Sequence, residues 1–210
     1  GATAYVTLEP CSHWGETPPC AGALVDAGIA RAVVAVDDPD PRVNGKGLTM
    51  LRDADIEVEV GLFRKEAMAV NAGFFRRVQT GMPLIQVGAD PTLHDGPAGI
   101  EAFDAVVSGP DADGPWARAA AGAGRLWIRV LGPGDSTSQI EAVQGWTLAP
   151  SSGKVGRGEA FLVTPGGDGY PDPRHAAGVL GARGLTRVLV DPACPLAARW
   201  TELGFVSGDS

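Results

Sequence analysis

Thr3 to Leu8, Arg31 to Val36 and Ile56 to Val60 are short runs of β-branched, aromatic and aliphatic residues, separated by stretches whose apolar positions recur at helical spacing. A chain that alternates strand and helix in this way satisfies its strands in a parallel sheet with helices packed on it. The first helix is expected from Thr17, a side chain able to cap, through Pro18 at the first helical position. Ala21, Leu24, Val25 and Ile29 form its apolar stripe, with Gly28 near its end. Leu48 to Ala54 and Phe63 to Gln79 read as further helices, and Asp37 to Gly47 as a polar, turn-rich loop.

Thr80-Gly81-Met82-Pro83 breaks the pattern, and a domain boundary is expected there, giving residues 1–80 and 81–210. Beyond it, Leu84 to Val87, Ala105 to Val107, Leu126 to Leu131, Phe161 to Thr164 and Val188 to Val190 read as strands of a second α/β domain. Asp111 to Gly124 and Gly153 to Gly158 are rich in small residues and read as loose loops. The tryptophans at 116, 127, 146 and 200 read as core or interface residues.

The 210 residues carry a net charge of −8, 44% hydrophobic and 20% charged residues. Such a surface repels nucleic acid and anionic membranes, and no apolar run is long enough to cross a bilayer. Three cysteines, Cys11, Cys20 and Cys194, are too few and too odd in number for a disulfide framework and fit a reducing compartment, the cytoplasm. Gly1 is not an initiating methionine and a strand begins almost at once, so the natural N-terminus is expected to lie upstream.

The stretch richest in chemistry runs from Leu8 to Cys20. Cys11 follows a proline just past a strand, where parallel sheets place ligand sites, and Cys20 falls in the first turn of the expected helix, where partial positive charge favours a thiolate. Two such thiolates suit a zinc site, although two-residue gaps are commoner in zinc deaminases than this eight-residue one. Buried structural thiols or a disulfide are the other readings of the pair.

The letters around the cysteines narrow this. Thr7-Leu8-Glu9-Pro10-Cys11-Ser12-His13, Gly15 and Thr17-Pro18-Pro19-Cys20 closely resemble the signature of the bifunctional riboflavin biosynthesis deaminase/reductase family, in which the long gap is the norm. The resemblance continues through Ala27 to Arg31, Asp38-Pro39-Asp40-Pro41-Arg42-Val43-Asn44-Gly45-Lys46-Gly47, Ile56 to Gly61 and Asn71 to Phe75. It implies a cytidine-deaminase-like three-layer α/β/α domain, here partial, followed by a dihydrofolate-reductase-like α/β domain. It also implies zinc as cofactor, a phosphorylated pyrimidine as substrate and a homo-oligomer.

By that resemblance Cys11 and Cys20 are zinc ligands. His13 could complete the ligand set, but the family takes its histidine from an upstream His-x-Glu, so His13 is expected to line the pocket, with stabilisation of the loop as the alternative. Arg42, Asn44 and Lys46 become candidate substrate contacts, with Arg42 and Lys46 aimed at phosphate and Gly45 and Gly47 allowing close backbone approach; an ordinary solvated turn is the alternative. None of His13, His94 and His175 is followed two residues later by glutamate, so these residues hold neither the third ligand nor the proton-shuttling glutamate. Glu9 and Glu16 are poor substitutes: Glu9 belongs to the family's strand-end pattern, and Glu16 stands where the family carries a basic residue.

In the second domain Phe103 to Gly109 and Gly184 to Val190 resemble two of the family's reductase strands, and Thr92 to Gly96 only echoes one of its turns. Where the family has Glu-Gly-Gly, this chain has Asp191-Pro192-Ala193-Cys194; proline removes an amide donor and the glycines are gone, so NADPH binding through Asp191 is weakened and reductase activity is expected to be lost. Cys194, His94 and His175 have no ligand-spaced partners. A fully bifunctional enzyme and a non-catalytic scaffold or dimerisation relative are the rival readings; a nucleic-acid-editing deaminase is disfavoured by the acidic balance and the long cysteine gap.

Overall fold

The computed structural model describes residues 1–15, 17–88, 99–109, 114–131, 170–206 and, for the backbone alone, 158–162. The chain folds into two compact units, Gly1–Gln79 and Thr80–Ser210.

In the first unit, β1 (Thr3–Val6), β2 (Arg31–Val34) and β3 (Glu57–Val60) pair in parallel in that order, so β2 is central, with Ala32 and Val34 fully buried. Helices α1 (Cys20–Asp26) and α2 (Lys46–Asp53) cover one face, where Ala21, Ala32, Leu51 and Ile56 form a core. A fully buried leucine such as Leu51 contributes about 1.5–3 kcal/mol in such a core. Beyond the strand ends, Leu8, Ala35 and Val36 meet Ala67 of α3 (Arg64–Val70) and Phe75 of α4 (Ala72–Thr80).

Three local expectations are corrected here. The first helix starts at Cys20 rather than Pro18: Pro18 and Pro19 keep the chain extended, Pro19 takes the cap position with φ −55 and ψ 131, and Thr17 caps nothing. The second begins at Lys46, two residues early, because Gly45 adopts φ 84 and turns the chain into the helix. The single helix expected over 63–79 is two helices, broken at Asn71, whose side-chain Nδ2 donates to the Ala67 carbonyl at 2.8 Å and competes with the helical pattern.

The second unit is a five-stranded, all-parallel sheet in the order β4 (Leu84–Val87), β8 (Arg187–Val190), β5 (Ala105–Ser108), β6 (Leu126–Val130) and β7 (Gly158–Leu162). Residues 115–122, expected to be loose, form α5 (Pro115–Gly122): Pro115 presets the first turn and Trp116, Ala117 and Ala120 are buried. Two helices not foreseen, α6 (Pro173–Ala182) and α7 (Pro195–Glu202), complete the unit; α6 is capped by Asp172 and places Ala176, Ala177 and Leu180 in the core beside Leu196 and Trp200 of α7. Trp200 is fully buried and its Nε1 donates to the Pro173 carbonyl at 2.7 Å. The strands that carry the family-like stretches, β5 and β8, are neighbours, joined at their starts by Asp104, whose Oδ2 accepts from Thr186 N at 2.6 Å, Thr186 Oγ1 at 2.8 Å and Arg187 N at 3.0 Å. Glu16, Thr92 to Gly96 with His94, Trp146, residues 153–157 and 163–164 lie outside the described residues. Among those described, no helix is long and apolar enough to cross a membrane.

Candidate functional site

A cavity of about 680 Å³ opens at the C-terminal end of the first sheet, lined by Cys11, His13, Cys20, Glu9, Asp38, Asp40 and Arg42 together with Phe74 and aliphatic residues of β1 and α1. The local sequence explains why the cysteines meet there. Cys11 leaves the sheet after β1, the two prolines hold the loop extended, and α1 then begins at Cys20, so its first amides point back at the loop. Cys20 N donates to Cys11 Sγ at 3.2 Å and Ala21 N donates to the Cys11 carbonyl at 3.1 Å. Both thiols are free, Cys11 half-buried and Cys20 exposed, so the disulfide reading does not hold. The side-chain hydrogen bond with Cys11, then burial, holds the Cys20 thiol above its ordinary value.

His13 lines the same cavity, with Nδ1 buried and bonded to no protein group. No three His, Cys, Asp or Glu side chains gather into a metal-holding group among the described residues. The donor chemistry of Cys11 and Cys20 fits two of the ligands of a zinc ion.

The loop that follows β2 forms the opposite wall. Asp38 is buried, and its Oδ1 accepts from Asp40 N at 2.8 Å; burial pushes its carboxyl above the ordinary range. Asp40, also buried, accepts from the backbone N of Arg42 at 2.9 Å and from its Nε at 3.0 Å to both carboxylate oxygens. The Arg42 guanidinium holds Asp40 down at about 2. Arg42 thus reaches the cavity already paired, while Asn44 and Lys46 are exposed and are not among its lining residues. The close approach allowed by Gly47 is to the protein itself: a Cβ there would sit 1.9 Å from the Pro10 carbonyl oxygen, and only glycine fits.

Sequence reasoning missed the role of Glu9. Only 3% exposed, its carboxylate accepts four backbone N–H groups: Asp38 at 3.3 Å and Gly45 at 2.9 Å on Oε2, Gly47 at 2.9 Å and Leu48 at 3.3 Å on Oε1. The available signal was the pairing of a strand-end glutamate with a downstream Gly-Lys-Gly, whose bare amides need an acceptor. In the second unit Asp191, the candidate cofactor contact, has its Oδ1 taken by Ala193 N at 2.8 Å, and Cys194 is 2% exposed with its thiol pushed up by burial to about 12.

No family model matches the chain. It is similar to riboflavin biosynthesis protein RibD of Haemophilus influenzae, 47% identical over 112 residues, which are 53% of this chain and 30% of that protein. RibD of Escherichia coli is 54% identical over 93 residues, 44% of this chain and 25% of that one. A diaminohydroxyphosphoribosylamino-pyrimidine deaminase of Buchnera aphidicola is 49% identical over 83 residues, 40% of this chain and 56% of that one. The chain therefore spans between a quarter and a third of the RibD relatives it matches. Among solved structures, Acinetobacter baumannii RibD aligns with a TM-score of 0.60 and 25% identity over 97% of this chain and 66% of that one. The Thermotoga maritima diaminohydroxyphosphoribosylaminopyrimidine deaminase/5-amino-6-(5-phosphoribosylamino)uracil reductase aligns at 0.62 and 20% identity over 94% and 64%, a likeness of fold. The cysteine loop, the Asp38–Gly47 wall and two parallel α/β units thus sit in a chain that is about half identical to RibD proteins over 93 to 112 of its residues and similar in fold to a solved RibD over nearly its whole length, a likeness to the bifunctional riboflavin biosynthesis deaminase/reductase proteins.

Proposed function

We propose that the first unit is the cysteine-bearing part of a zinc-dependent deaminase acting in the cytoplasm on a diaminopyrimidine that carries a ribosyl phosphate. The observation that carries this reading is the pair of free thiols on one cavity, with Cys20 N–H directed at Cys11 Sγ. Cys11 and Cys20 would hold the metal, which when bound supplies a Lewis acid that activates water. His13 shapes the cavity floor. Arg42, released from Asp40 or shared with it, and the exposed Asn44 and Lys46 are the groups able to meet a phosphate.

The 210 residues contain no His-x-Glu, so the proton movements of deamination have no carrier in them and the chain by itself does not turn over. The second unit serves as a reductase-like body without reductase activity. Pro192 offers no amide, and the Asp191 Oδ1 is taken up by its own turn, which leaves a nicotinamide cofactor few donors at the end of β8.

Titration of the purified chain with zinc against a chromophoric chelator tests the metal reading. One zinc per chain is expected, lost in Cys11→Ala and in Cys20→Ala; no uptake by the unmodified chain overturns it. NADPH fluorescence tests the second unit: no saturable change is expected, and saturable binding would restore the bifunctional reading.

A further inference from the structure

We propose that Glu9 is the positioning residue of the cavity, fixing Cys11 through its clamp on the loop that leads into α2. The backbone around Cys11 is pinned on every side. Glu9 N donates to the Val36 carbonyl at 2.9 Å, the Glu9 carboxylate gathers the amides of Asp38, Gly45, Gly47 and Leu48, and the Cys11 carbonyl accepts from Ala21. The Pro10 carbonyl between them lies so close to Gly47 that a methyl group there would collide with it. A carboxylate with two oxygens, each accepting two N–H groups, is the one side chain of this length that satisfies all four donors; glutamine offers a single acceptor oxygen and turns two of its own N–H groups toward amides. Loss of the clamp leaves buried donors unpaired beside the peptide that carries Cys11, and that peptide moves to relieve them. In its metal readout alone the inference rests on the reading of Cys11 and Cys20 as ligands.

The test compares Glu9→Gln with Leu51→Ala, which empties a fully buried position of the same unit away from the cavity. Two quantities are read while both variants remain folded by circular dichroism: the iodoacetamide rate of Cys11 in a metal-free Cys20→Ser background, and cobalt(II) affinity from thiolate charge-transfer absorption in chains keeping both cysteines. Glu9→Gln is expected to change the Cys11 rate at least tenfold and to weaken cobalt binding at least tenfold, while Leu51→Ala, although less stable, leaves both within twofold. Equal behaviour of the two variants, or no change in Glu9→Gln, overturns the inference. If the unmodified chain takes up no cobalt but Glu9→Gln still shifts the Cys11 rate, the positioning role stands and the metal reading falls; if cobalt binds both alike and the Cys11 rate holds, the reverse. Should Glu9→Gln fail to fold, Gly47→Ala presses on the Pro10 peptide from the other side with the carboxylate intact; a tenfold change in the Cys11 rate supports the role, and an unchanged rate overturns it.

Discussion

Cys11 and Cys194 stand in similar local sequence and opposite surroundings. Each follows a parallel strand by a few residues, each is preceded by an acidic residue and a proline, and each leads toward a helix. In the first unit Glu9 reaches across to amides as far off as Leu48, the loop stands away from the sheet, and a cavity is left with two thiols on its wall. In the second, Asp191 folds onto Ala193 N, Cys194 N donates back to the Asp191 carbonyl at 2.9 Å, and the thiol is packed among Val188, Val190, Leu196 and Trp200. One methylene more on the acidic residue, and distant amides for it to find, separate a strand end that holds a site from one that plugs a core.

The strongest way to break this comparison is thiol chemistry. At neutral pH a thiol pushed up to about 12 has about a thousandfold less thiolate than an ordinary one, and Cys194 is also covered. Two fast-reacting thiols per native chain are expected with a disulfide reagent, the third appearing only in denaturant. Three fast thiols would show the second core to be open. Next in size is Gly181→Ala, whose Cβ would lie 1.9 Å from the Gly81 carbonyl oxygen. Backbone cannot yield as a side-chain tip does, and a loss of about 3 kcal/mol in urea denaturation is expected.

These features differ in how far the letters disclosed them. Parallel α/β character, the strands of the first unit and the meeting of Cys11 with Cys20 follow from periodicity and motif, because each is decided by neighbouring residues. Helix α5 was hidden by its alanines and glycines, which resemble a loose loop until Trp116 is seen to bury; α6, rich in the same two residues, was hidden in the same way. Glu9 was hidden for another reason: its partners are dozens of residues away, and only the folded register of β1, the wall loop and α2 brings them within reach.

Smaller effects sharpen the picture of the wall. Asp40 is held at about 2, below its ordinary 3.8, so its pairing stabilises the fold fully above about pH 4 and the contribution is lost as pH falls toward 2. Because Arg42 is largely exposed, solvent screening keeps the loss small. Asp38, raised by burial, has the opposite sign: its contribution is greatest in acid and fades as pH rises through its folded value, a window that lies above the Asp40 limb. Acid unfolding monitored by circular dichroism should therefore show a shallow limb between pH 4 and 2, absent in Asp40→Asn. Least of all, Asn44→Ala and Lys46→Ala should change stability by no more than about 0.5 kcal/mol, since both side chains are exposed. A larger loss in urea would assign them to the fold and not to a ligand.

The span of the Glu9 clamp also sets an order of events during synthesis. Its acceptor oxygens wait for donors 29 to 39 residues downstream, and at about 5–20 residues per second roughly 1–6 s pass between the synthesis of Cys20 and that of Leu48. Through that interval Cys11 and Cys20 are on a nascent chain that lacks the wall the folded unit sets beside them. The cavity is a late product of translation, closed only once the whole span from Glu9 to Leu48 has been made.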